Sequence, residues 1–110
     1  MINLNGKRAL VTGGSHGIGA AIAVALAENG ADVAFTYQRA AEKAEAVRKS
    51  IENEGRRGFA IQADSADVDA VFHAVNEAVS SLGGLDILVN SAGIGLSVRW
   101  RRSTWATTRP

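Results

Sequence analysis

The residues best suited to chemistry form one stretch, Thr12-Gly13-Gly14-Ser15-His16-Gly17-Ile18-Gly19. A short strand-like run, Lys7-Arg8-Ala9-Leu10-Val11, apolar toward its end, precedes it, and the helix formers Ala20 to Glu28 follow. A strand, a glycine-rich turn and a helix in that order bind anions. The first N–H groups of the helix lack internal partners, and the helix dipole places partial positive charge there. Glycines remove the Cβ atoms that would hold a phosphate away from those N–H groups. The spacing Gly13-x-x-x-Gly17-x-Gly19 differs from the G-x-G-x-x-G of the usual dinucleotide fingerprint. Taken alone, it can also be read as a tight β-to-α turn with no ligand.

Strand and helix patterns alternate around this loop. Lys7 to Thr12 reads as a first strand and Gly17 to Asn29 as a first helix, stopped by Gly30. Asp32 to Tyr37, β-branched and aromatic, is a second strand. Ala40 to Glu54 is a second helix with Ala44, Val47 and Ile51 at helical spacing, and Glu45 and Lys49 as a surface pair. Gly58 to Ala63 reads as a third strand. Asp64 or Ser65 can cap a third helix over 66–82, whose Val68, Val71, Phe72, Val75, Val79 and Leu82 make an apolar stripe. His73 lies off that stripe and reads as a surface residue. Gly83-Gly84 stop the helix, and Leu85 to Asn90 is a fourth strand, apolar enough to be covered on both faces. Four strands with three helical crossovers predict an α/β fold with a parallel sheet.

Composition narrows the function classes. At 110 residues the chain is one domain at most, and 46% hydrophobic content is enough for a core. Cysteine is absent, which excludes a disulfide framework and a thiolate metal site and suits a reducing compartment. The longest apolar run, Ala20 to Ala27, is far shorter than the roughly 20 residues of a membrane span. A cytoplasmic chain without a membrane partner is expected. Residues 97–110 hold four arginines and no acid, leaving eight basic against eleven acidic groups in residues 1–96. That mildly acidic body carries no general nucleic-acid footprint.

The Thr-Gly-x-x-x-Gly-Ile-Gly pattern resembles the cofactor loop of the short-chain dehydrogenase/reductase family. Asn90-Ser91-Ala92-Gly93 resembles the family's Asn-Asn-Ala-Gly element, with Ser91 in place of the second Asn. Asp64 ends the third strand, where the family uses an Asp to accept from the adenine amino group; as a bare residue it serves equally as a helix cap. Each of these elements falls at the carboxyl end of an expected strand, the edge where open α/β sheets bind ligands. The resemblance covers residues 1 to about 95 and implies an incomplete Rossmann-like, doubly wound sheet of order 3-2-1-4. It implies cofactor contacts from Gly13, Ser15, His16, Gly17, Ile18, Gly19, Tyr37, Arg39, Asp64, Ser65, Asn90, Ala92 and Gly93. Thr36-Tyr37 and Ala41 to Glu45 are similar to 3-oxoacyl-carrier-protein reductase-like members.

An NAD site places an acid at the end of the second strand, where it binds the ribose 2′-hydroxyl and repels a 2′-phosphate. Here the strand ends Thr36-Tyr37-Gln38-Arg39, with no acid and one guanidinium, and Ser15 can donate a further hydrogen bond. NADP(H) is therefore favoured over NAD(H), although Arg39 can also be read as a solvated residue opening a helix. His16 stands where NADPH-dependent relatives often carry Arg, so its contribution is weaker or pH-dependent.

The family protonates the developing alkoxide with a Tyr-x-x-x-Lys helix and an upstream Ser. Tyr37 is the only tyrosine here, and four residues on stands Ala41. No catalytic residue is assigned, and the chain is expected to be truncated before that helix and inactive alone, meeting a carbonyl or alcohol substrate only in a longer form. Residues 1–96 read as the N-terminal part of a dinucleotide-binding domain. Residues 97–110, with both tryptophans and the only proline, read as an atypical basic tail, unstructured or translated out of frame. Alternatives are a non-catalytic dinucleotide-binding module, or a small interaction protein whose Arg and Trp tail meets a membrane surface or single-stranded nucleic acid. The fourth strand is expected at an open edge, exposing Ile87, Leu88 and Val89 to self-association.

Overall fold

A computed structural model describes residues 3–14, 17–64, 66–91 and 97–100, the last four by their backbone. The elements run β1 (Arg8–Thr12), α1 (Gly17–Glu28), β2 (Asp32–Tyr37), α2 (Ala41–Asn53), β3 (Gly58–Gln62), α3 (Val68–Leu82), β4 (Ile87–Asn90) and β5 (Ser97–Trp100). β1 to β4 are parallel in the order 3-2-1-4, and register sets Val11 beside Phe35 and Val89, and Thr12 beside Asn90. All four carboxyl ends therefore lie along one edge.

Side-chain alternation divides the core between the two faces. Ala9, Val11, Val33, Phe35, Ile87 and Val89 pack with α1 and α2, while Leu10, Ala34 and Ile61 pack with α3. Two helices on one face and one on the other is the arrangement that right-handed crossovers require for this strand order. The buried residues of α1 are Gly19, Ala23 and Ala27, four apart. Small side chains on that stripe let the helix sit close to the sheet and bring its first turn down onto the loop after β1.

Four sequence expectations are corrected. β4 is not an edge, because β5 pairs with it antiparallel, Asn90 opposite Ser97 and Ile87 opposite Trp100. Ile87 and Val89 are buried, and Leu88, on the α3 face, is partly covered. The strand lies inside the segment read as tail; residues 101–110 lie outside the described residues. On α3 the stripe is displaced: Ala74, Val75, Ala78 and Leu82 are buried, whereas Val68 and Phe72 are 66% and 45% exposed. The alanines permit close approach, so the helix turns them to the sheet and carries the larger side chains on its flank. The α3 cap is Asp67, not Asp64 or Ser65, and its Oδ1 accepts from the N–H groups of Asp69 (3.0 Å) and Ala70 (3.3 Å). On α2, Glu45 is hydrogen-bonded by Arg48, and Lys49 adds only a weaker charge attraction. The planar guanidinium takes the carboxylate two-handed and also reaches Glu52 at 2.8 Å. The hydrogen bond from Arg48 holds the Glu45 carboxyl below its ordinary range. That pairing therefore operates above the ordinary carboxylate range and is lost as pH falls through the lowered value.

At the opposite edge of the sheet, Asp86 is 7% exposed and holds Arg8. Its Oδ2 accepts from Arg8 N and Nε, both at 3.0 Å, while Arg8 Nη1 donates to the Gly83 carbonyl at 2.8 Å. β1, β4 and the end of α3 are thus locked by one ion pair. Removing the guanidinium leaves a buried carboxylate with only backbone help. Arg8→Ala is expected to destabilise the fold by about 2–3 kcal/mol, less than the ~3–5 of a fully buried pair because the Arg8 N–H still donates. Urea unfolding measures it, and a loss near zero would show that water replaces the guanidinium freely.

Candidate functional site at the carboxyl edge

The loop after β1 is held from both neighbouring strands. From β2, the Thr36 hydroxyl accepts from Gly13 N at 2.8 Å and the Thr36 carbonyl accepts from Gly14 N at 3.0 Å. From β4, Thr12 Oγ1 donates to Asn90 Oδ1 at 2.9 Å. The Ser91 hydroxyl donates to the Thr12 carbonyl at 2.6 Å. The Asn90 amide thereby ties β4 to β1 through Thr12.

Each glycine of the loop has its own reason to be one. A Cβ on Gly14 would stand 2.6 Å from Phe35 Cβ, inside the core. On Gly19 it would stand 2.1 Å from the Gly13 carbonyl oxygen and 2.7 Å from Ser91 Oγ. Gly17 is different: it opens α1 with φ +64, and among the described residues a Cβ there would meet nothing within 4 Å. That open space at a helix N-terminus fits a phosphate, and a side chain would fill it. Ile18, 73% exposed, stands beside it. The residues present fit the phosphates of a dinucleotide cofactor.

The remaining expected contacts are distributed along the same edge. Tyr37 ends β2 half-buried, with Gln38 and Arg39 exposed after it. Gln62, ending β3, donates from Nε2 to the Gln38 carbonyl at 3.2 Å and ties the two strand ends. Asp64 is exposed just beyond β3, and its Oδ1 accepts from Ala66 N at 2.9 Å. With Asp67 as the cap, Asp64 stays outside the helix at the carboxyl edge. Asn90 ends β4. Ser15, His16, Ser65, Ala92 and Gly93 lie outside the described residues.

A family model described as short chain dehydrogenase matches residues 7–108. The chain belongs to the short-chain dehydrogenase family. It is 50% identical over 102 residues to the 3-oxoacyl-(acyl-carrier-protein) reductase FabG of Staphylococcus aureus (strain Mu50), covering 90% of this chain and 42% of the relative. A short chain dehydrogenase from Burkholderia cenocepacia J2315, solved in complex with NADP, superposes with a TM-score of 0.81 at 65% identity over 84% of this chain and 38% of that one. A blue fluorescent protein from a metagenomic library, solved with NADPH, gives a TM-score of 0.80 at 57% identity over 84% and 38%. The chain thus spans less than half the length of the relatives it matches.

Within that family frame, the described part of the glycine loop, Asp64 and Asn90 fall on one edge as the sequence implied. Sequence reasoning missed Thr36 and Gly14. A threonine buried in the otherwise apolar end of β2 was the available signal for the first, and its proximity to a large aromatic, Phe35, explains the second. Among the described residues, no helix is long and apolar enough to cross a membrane, and no cluster of acidic or His side chains could hold a metal.

Proposed function

We propose that this chain holds NADP(H) along the carboxyl edge of its sheet, as the nucleotide-binding portion of a carbonyl or alcohol oxidoreductase. The observation that carries the reading is the loop itself, with Gly17 open at the start of α1 and Gly13 and Gly14 held by Thr36. Preference for the 2′-phosphate is supported by the end of β2, where Tyr37, Gln38 and Arg39 stand and no carboxylate does. In this reading Tyr37, Arg39 and Asp64 flank the adenosine half, and Ser15, His16 and Ser65 complete it. Ile18 and Asn90-Ser91-Ala92-Gly93 border the path toward the nicotinamide.

Hydride transfer needs a proton donor that these 110 residues do not supply, since Tyr37, the sole tyrosine, is followed four residues on by Ala41. The chain by itself is therefore proposed to bind the cofactor without turning it over. A cytoplasmic setting belongs to the same proposal and is supported by the absence of cysteine.

Calorimetric titration of the chain with NADP and NAD tests the reading. NADP is expected to bind at least tenfold tighter. Arg39→Ala is expected to lower that ratio by about tenfold, the scale of one charge-assisted hydrogen bond. Tighter NAD binding, or a ratio indifferent to Arg39, would refute the assignment.

A further inference from the structure

Among the described residues, the hydrogen bonds between β2 and the glycine loop come from a single residue. Thr36 is 1% exposed, and it offers two acceptors to consecutive loop amides, its hydroxyl to Gly13 N and its carbonyl to Gly14 N. The second bond would form with any residue at this position, because it is made by backbone. The first requires an oxygen on the β carbon. Gly13 has φ +73, and its carbonyl oxygen lies where a Cβ on Gly19 would be. The Thr36 hydroxyl thus holds the Thr12–Gly13 peptide, and its carbonyl holds the next one, Gly13–Gly14, whose oxygen faces Gly19; together they fix the Gly13 backbone on which the first turn of α1 rests. The next residues after Thr36 are Tyr37, Gln38 and Arg39.

We infer that Thr36 is a positioning residue that sets the phosphate-binding start of α1 against the ribose-facing end of β2, so that one dinucleotide can engage both. This rests on the proposed cofactor reading and adds to it a residue that need not touch the cofactor. A hydroxyl-free residue leaves the Gly13 N–H buried without its acceptor, and the loop then shifts to find another. Valine keeps the shape and removes the oxygen, whereas serine keeps the oxygen and removes the methyl group.

The test compares Thr36→Val and Thr36→Ser in the 110-residue chain, with Thr36→Ala as a second hydroxyl-free variant should valine fail to fold. Amide hydrogen exchange at Gly13 is expected to accelerate at least tenfold in the hydroxyl-free variant and to stay near wild type in Thr36→Ser. NADP affinity is expected to fall about tenfold in the former and to stay within twofold in the latter. A hydroxyl-free variant that binds NADP as wild type does, or a Thr36→Ser that loses as much affinity, overturns the inference. Failure of the wild-type chain to bind any dinucleotide overturns the cofactor reading instead. Unchanged Gly13 exchange in the hydroxyl-free variant overturns the clamp itself, with or without ligand.

Discussion

Gly19→Ala is expected to abolish NADP binding and to destabilise the chain by about 3 kcal/mol, the upper part of the range for overpacking. The added carbon would stand 2.1 Å from the Gly13 carbonyl oxygen and 2.9 Å from its carbon. Both are backbone atoms of a residue already fixed by Thr36, so neither can swing aside. The start of α1 must lift away from the loop, and the stripe of Gly19, Ala23 and Ala27 that seats the helix on the sheet loses its first contact. Gly17→Ala provides the contrast. Among the described residues a Cβ there meets nothing within 4 Å, but φ +64 is costly for an L side chain, at roughly 1–2 kcal/mol. It should therefore block the ligand path with a smaller loss of stability. Urea unfolding and titration of both variants separate the two effects. Equal stability losses would mean that Gly19 is not pressed against Gly13 as the geometry requires.

No carbonyl reduction is expected from the purified chain with NADPH. Loss of general acid catalysis alone lowers a rate by about 10²–10⁴-fold. The single tyrosine, Tyr37, ends β2 at the ribose side of the proposed site and has no lysine one helical turn away. The measurement is NADPH oxidation with a broad set of ketones and 3-oxoacyl thioesters, using protein freed of longer reductases. Turnover that survives purification and disappears in Tyr37→Phe would make Tyr37 the acid and refute the account.

Much of this architecture is legible in the residues because local and global preferences agree. The β-branched run of β2, the alanine-rich α1 and the glycine stops imply four parallel strands, and helix placement then follows from crossover handedness. Where the sequence misleads, a tertiary choice outweighs a local one. β5 is four residues, Ser97-Val98-Arg99-Trp100, whose polar–apolar alternation is a strand signal masked by the arginine-rich composition around it. Its partner, the outer side of β4, is visible only once the sheet exists. Phe72 and Val68 complete a hydrophobic stripe on paper, yet Ala74 and Ala78 allow closer approach and take the interface. Asp64 and Asp67 offer the same carboxylate, and the extended backbone immediately before Val68 decides which one caps.

The site divides along similar lines. Glycine spacing reveals where a phosphate belongs, because only missing side chains permit it. The hydrogen bonds that hold the loop come from positions distant in sequence from Gly13: Thr36, which carries no motif of its own, and Ser91, whose bond to Thr12 is not readable from the element it belongs to.

The central claim is that the dinucleotide lies along the carboxyl edge, and backbone amide chemical-shift mapping with NADP tests it most directly. The edge has an internal control, because an open depression of about 460 Å³ lies at the opposite end of the sheet, between Asn5, Glu28, Gly30 and Arg56. Shift changes are expected at Gly13, Gly17, Gly19, Tyr37, Arg39, Asp64 and Asn90, with Asn5, Glu28, Gly30 and Arg56 unmoved. Changes centred on Asn5 and Arg56, or none at saturating NADP, would contradict the account.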